Sequence, residues 1–394
     1  MHRASVSRVA ALALIPLTLA GSPAAVSAQQ IGDSAAAGRV THPHSRALVL
    51  GIVGAVIGGL AAFGFSKGSG GGRSPGTIAL GTAAGGLTGF FVGRQLDERR
   101  AIAFHGTPSL RIPNVGIELD GEPSVLTLRE DKAAVGGSAG VQLFAAADDH
   151  MVLLAHRASG LQGVDAIDIA PRSGWLALGS RTGLYLYPPV SGPGLLVRRA
   201  SVSAIAASES RVFVAMDNRV ESVPVKSDSV RDYPGSVLDA PIRDLQLDEG
   251  RAVLWASTDH SLVALRATGD SLVAIGSVPL AGSGLRFVID KSLAAVAMGE
   301  KGVALFDIAD PTQPKLRTIW TAAHFAYDVS IDGSRLYVAA GPEGVYVVEL
   351  SGDEPRTIGL ARSLGFASAI ASTNGHTFIL DRRTNELRRI VSSH

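Results

Sequence analysis

The chain of 394 residues contains no cysteine. That absence excludes disulfides, thiolate-bound metals, iron–sulfur clusters and a thiol nucleophile, and it removes the lipid-bearing cysteine on which a lipoprotein anchor depends. Charge is scarce, at 18% of residues, and it nearly cancels to a formal +1. A strongly basic nucleic-acid-binding surface is therefore not expected. Aromatic residues are only 5%, with three Trp, which argues against a base-stacking platform or an aromatic-rich carbohydrate surface.

Signatures of catalysis are also missing. No Gly-x-Ser-x-Gly elbow occurs. The glycine run Gly68–Gly72 is not a phosphate loop, because Lys67 precedes it and no Gly-Lys-Ser/Thr closes it. Ile331-Asp332-Gly333 reads as a turn, without the other residues of an Asp-box. Ten histidines are scattered, among them His42, His44, His105, His150, His156, His260, His324 and His376, and none belongs to a compact ligand set. No metal and no cofactor is expected.

What the chain has in quantity is glycine, 46 residues in all, and its first third is organised around small residues. Residues 1–28 read as a secretory signal peptide: Arg3 and Arg8, an apolar run from Val9 to Ala20, and Val26-Ser27-Ala28 as a small-residue cleavage site before Gln29. The apolar run is shorter than the roughly 20 residues that span a bilayer, and Pro16 interrupts it. A polar lead-in follows over 29–46. Ala47 to Phe65 and Thr77 to Gly93 are then uncharged, and a turn built of Gly, Ser, Lys67, Arg73 and Pro75 separates them.

Gly81, Gly85, Gly89 and Gly93 recur every four residues, as do Gly51, Ala55 and Gly59. On a helix that spacing draws a seam without side chains, along which a second backbone packs closely in lipid. In water each such glycine would cost about 1 kcal/mol against alanine. Residues 47–93 are accordingly expected to form a two-helix transmembrane hairpin, with 94–107 as a stalk. The pair resembles the glycine-zipper hairpins of bacterial envelope proteins, and it offers a route to homo-oligomers.

Cleavage of the signal would leave Lys67 and Arg73 on the cytoplasmic side. Counting basic residues at the other ends (Arg39, Arg46, Arg94, Arg99, Arg100) points the opposite way. The inner membrane is favoured on the strength of the signal peptide, and the outer membrane stays open.

From residue 108 onward a turn-then-strand pattern recurs. Its first apolar residues stand at Val141, Leu184, Val220, Leu262, Val303, Val345 and Leu387, separated by 43, 36, 42, 41, 42 and 42 residues. Seven repeats of about 41 residues, each with room for four strands, predict an all-β, seven-bladed β-propeller over 108–394. The last repeat ends soon after its third strand, so Ser109 to Leu119 is expected to supply the missing outer strand and close the ring.

Residues 291–350, with Gly302-Val303-Ala304-Leu305-Phe306-Asp307 and Ala326-Tyr327-Asp328-Val329, resemble the LVIVD-type (YVTN-like) repeats of bacterial surface propellers. That resemblance implies a propeller in a surface or periplasmic setting and implies no reaction.

Polar residues where the inner strands begin are the candidate binding positions at the channel mouth: Asp165, Arg243, Asp244, Arg286, Tyr327 and Asp328. They either grip a ligand or partner loop, or satisfy one another as salt bridges. The favoured function is a non-catalytic, membrane-anchored periplasmic module that binds other envelope or membrane proteins or serves as accessory subunit of a membrane complex. The alternative is a propeller lyase or hydrolase with its site in the central channel.

Overall fold

The seven repeats fold into seven antiparallel sheets, one per blade. The computed structural model describes residues 109–110 and 116–391, apart from 147–150, 159, 162, 190, 269–270, 353 and 363. The signal peptide, the lead-in, the hairpin with Gly51, Gly59, Gly81, Gly85, Gly89 and Gly93, and the stalk all lie outside the described residues. Among the described residues, no helix is long and apolar enough to cross a membrane.

Each blade begins with an inner strand: Pro123–Arg129, Val164–Ile169, Ala204–Ala207, Ile242–Asp248, Arg286–Asp290, Asp328–Asp332 and Ala367–Thr373 for blades 1 to 7. These strands neighbour one another in order, and the seventh packs against the first, so the ring is closed around a central channel. Second strands such as Leu176–Ser180 and Val253–Thr258 are buried along their whole length. They lie between two neighbouring blades, so both faces are covered and their sequences are apolar runs rather than alternations. Outer strands such as Met151–Arg157 and Lys315–Trp320 are the more exposed ones.

The spacing signal at the third strand has a steric origin. At Gly302 (φ +81°) an added Cβ would stand 2.1 Å from the Trp320 carbonyl oxygen, and at Gly344 (φ +98°) 1.9 Å from that of Ala361. In these blades the outer strand crosses there against bare backbone, in a conformation L side chains rarely adopt.

Ring closure differs from expectation in one respect. Gly116–Glu118 is the outer strand of blade 7, antiparallel to Glu386–Val391. Ser109–Leu110, however, pairs in parallel with the outer strand of blade 6, Arg356–Ala361. The expected single strand is thus two short ones. The N-terminal end covers two blade edges in place of one.

Candidate functional site at the channel mouth

Four of the inner strands carry a bulge near their first residue, at Ser124, Asp165, Arg243 and Ser368. A bulge turns one side chain out of the regular alternation. Tyr327 holds the corresponding place in blade 6, where its N–H donates to the Ala339 carbonyl ahead of the Asp328–Ala339 pair. One register step further in stand Asp244, Arg286 and Asp328, on three successive blades.

These three form a row. Arg286 Nη1 donates to Asp244 Oδ1 at 3.3 Å, and the arginine keeps 30% of its side chain open. Burial works against the Arg286 charge, but Asp244, Asp328 and Asp165 together outweigh it and raise its pKa. Asp165 reaches this field from the opposite wall. It makes no hydrogen bond or ion pair among the described residues.

Asp244 and Asp328 also tie blades together. Asp244 accepts the backbone N–H of Leu245 and of Phe287 in blade 5, each at 3.0 Å. Asp328 accepts those of Val329 at 2.8 Å and of Ile370 in blade 7 at 3.0 Å. Burial nonetheless pushes both carboxyl pKa values up, that of Asp328 to about 7.

The other two candidates are engaged elsewhere. Arg243 turns to the loop of its own blade and clasps both oxygens of Asp259 at 2.8 Å. The Asp259 carboxyl, also bonded by Ser283, is held down to about 2. Tyr327 belongs to an aromatic row, its ring centroid 4.4 Å from Phe325 and 5.1 Å from Phe366. Asp165, Asp244, Arg286 and Asp328 are thus brought together, with Tyr327 at the rim and Arg243 committed to a separate ion pair.

Sequence reasoning did not single out three other features. Asp168 is 4% exposed, and its carboxylate takes Arg129, the Ile169 N–H and the Ala207 N–H of blade 3. Phe325 and Phe366 each precede an alanine and stand 41 residues apart, one blade period, a repeat that is visible in the chain. Finally, Glu343 pairs with His324 Nδ1 and accepts the His324 backbone N–H at 3.2 Å and the Tyr346 hydroxyl at 3.1 Å. This leaves the other ring nitrogen of a half-exposed histidine beside Phe325. Among the described residues, no group of His, Asp or Glu is arranged to hold a metal ion.

No protein-family model and no curated protein matches the chain. Among solved structures it is similar to a chain in the crystal structure of a mitotic checkpoint complex, with a TM-score of 0.60 and 10% identity over 73% of this chain and 98% of that one. At that identity the likeness speaks for the propeller fold alone.

Proposed function

We propose that this protein is a non-catalytic interaction module, a seven-bladed propeller carried on a membrane hairpin in the periplasm, that docks onto another envelope protein or serves as accessory subunit of a membrane complex. The observation that carries the reading is the way the channel acids are used. Asp168, Asp244 and Asp328 spend both carboxylate oxygens on backbone N–H groups or arginines of their own and adjoining blades. This is how carboxylates brace a rigid scaffold, and rigid scaffolds present rim residues for recognition. The propeller chain of the checkpoint complex is likewise a component of a protein assembly. The signal-like N-terminus and the four-glycine seam support the membrane and periplasmic part, and the LVIVD-type repeats agree with it.

The alternative, a lyase or hydrolase, draws on one observation. The Glu343-oriented His324 has the form of a general base, with its free nitrogen at the surface. No hydroxyl nucleophile is hydrogen-bonded to it among the described residues.

Cross-linking in intact cells, followed by mild solubilisation and mass spectrometry, tests the choice. A stoichiometric protein partner supports the module. Recovery of the chain alone, together with a turnover that His324→Ala abolishes, would overturn it.

A further inference from the structure

The channel mouth combines an unpartnered carboxylate, Asp165, with a row of aromatic rings. In its inner row and the facing wall, Asp165, Asp244 and Asp328 surround one guanidinium, Arg286, which is hydrogen-bonded to Asp244 alone. Asp165 has no bonding partner among the described residues, and Asp328, whose carboxyl burial raises to about 7, carries about half a charge at neutral pH and gains the rest when a cation is seated beside it. Low-dielectric walls concentrate such a field at the opening.

The aromatic row stands at the same place, because Tyr327 immediately precedes Asp328. It is built in, not incidental. Gly299 and Gly341, both at φ +58°, bridge to Ala326 and Ala367, the residues that follow Phe325 and Phe366. An added Cβ on Gly299 would lie 2.9 Å from the Phe325 ring, and one on Gly341 2.7 Å from the Tyr327 ring. Two successive blades thus each supply a glycine seat for the same row. In a chain with so few aromatics, three half-buried rings in line at a channel mouth are a recognition feature.

Ring faces are negative and attract cations, most strongly where water is partly excluded. The carboxylates attract the same ligand. The basic groups nearby do not cancel this: Arg243 is neutralised by Asp259, and Arg383, beside Gly365 on the rim, is exposed and screened by salt. The acids are not grouped as a metal cage. The ligand that fits is an organic cation with an apolar stem.

We propose that this mouth seats a basic side chain, arginine or lysine, carried on a loop of the protein partner. Its head lies between Asp165 and Asp328 and its stem runs across Phe325, Tyr327 and Phe366. The inference rests on the interaction-module reading and names the chemistry of the contact.

Fluorescence anisotropy on the full chain in detergent tests it, with a labelled cyclic hexapeptide Gly-Ser-Arg-Gly-Ser-Gly and its citrulline counterpart as probes. The expected result is saturable binding of the arginine peptide, at least tenfold weaker for citrulline. Asp165→Asn, which breaks no hydrogen bond of the fold, should weaken arginine binding about fivefold with an unchanged circular dichroism spectrum, and Asp165→Lys should abolish it. Tyr327→Leu should also weaken binding of the arginine peptide.

Equal binding of the two peptides, no binding at millimolar concentration, or an Asp165→Asn chain that binds like wild type would overturn the proposal. Tighter binding of free spermidine than of the peptide would overturn the protein partner as the source of the cation. If the cross-linked partner persists undiminished on the Asp165→Lys chain, the cation seat falls while the module reading stands. If the chain is recovered without any partner and shows a turnover that His324→Ala abolishes, the module reading itself falls.

Discussion

Asp168 Oδ2 accepts the backbone N–H of Ala207 across the junction of blades 2 and 3, at 2.8 Å. The same relationship joins Asp244 to Phe287 and Asp328 to Ile370, so alternate blades carry one carboxylate that reaches to the next inner strand. The strand ladders run within each blade, and a few backbone bridges such as Gly299–Ala326 and Gly341–Ala367 cross between blades. The aspartate side chains supply further hydrogen bonds between blades, and their removal is the first test of the architecture.

Asp168→Ala should destabilise the propeller by about 3–5 kcal/mol, because it strands the Arg129 guanidinium and the Ala207 N–H in a buried setting. Asp168 raises the Arg129 pKa, and although its removal takes that support away, the ordinary arginine value of 12.5 is high enough to keep the group charged. Urea unfolding measures the loss. The double variant Arg129→Met, Asp168→Ala should recover part of it, since an unpaired charge is then no longer buried. No recovery would mean that the bond to Ala207 carries the whole effect.

The raised carboxyls of Asp328 and Asp244 make stability depend on pH in an unusual direction. Asp328 binds its proton more tightly in the fold than in the unfolded chain, so its contribution is complete below its ordinary value of 3.8 and is lost as pH rises through about 7. Within that window the slope is about 1.4 kcal/mol per pH unit for one proton. Asp244 acts with the same sign. Asp259 and Asp381, both lowered, act oppositely and only in acid. Thermal unfolding between pH 5 and 8 should show a falling melting temperature in the wild type, a shallower fall in Asp328→Asn, and a nearly flat line in Asp244→Asn, Asp328→Asn. Identical slopes in all three would refute the assignment.

Glycine substitutions separate steric from conformational cost. Gly333 (φ +61°) has nothing within 4 Å of an added Cβ, so Gly333→Ala should cost about 1 kcal/mol, the strain of the left-handed backbone. Gly344→Ala meets the Ala361 carbonyl at 1.9 Å as well and should cost at least twice as much. Equal losses in urea unfolding would show that the outer strand of blade 6 yields freely.

For the N-terminal region, the expected outcome is a mature chain that begins at Gln29, which Edman sequencing of the membrane fraction checks. Gly85→Leu with Gly89→Leu should break hairpin assembly while the propeller keeps its near-ultraviolet spectrum. A double variant that assembles and anchors like wild type would make the glycine seam incidental.

Much of the propeller was legible because its steric demands recur. Gly140, Gly183, Gly302 and Gly344 mark third-strand starts, since a carbonyl of the outer strand occupies the Cβ position at each. Where the third strand starts instead at Arg219, Ser261 and Glu386, the spacing of the apolar residues carried the same information. Ser109 to Leu119 was readable as ring closure but not as two strands. The parallel pairing of Ser109 with Leu360 and Leu110 with Ala361 depends on where blade 6 lies in space.

The candidate site was legible in part for a similar reason. Polar residues at the starts of inner strands must lie near the axis, so Asp165, Asp244, Arg286 and Asp328 were identifiable by position. Partner choice was not. Arg243 and Arg286 occupy neighbouring steps of successive blades, yet Arg243, at a bulge, pairs with Asp259, and Arg286, in a regular ladder opposite Ala297, pairs with Asp244.

The chain itself therefore determined the number of blades, the order of strands within each and the tier of polar groups around the channel, because these follow from spacing, side-chain volume and backbone sterics that act locally. Tertiary structure alone decided which acids became inter-blade braces, which stayed unpaired, and that Phe325, Tyr327 and Phe366 stand in one row. Those outcomes depend on distances between residues about 40 positions or more apart, and only closure of the ring sets such distances.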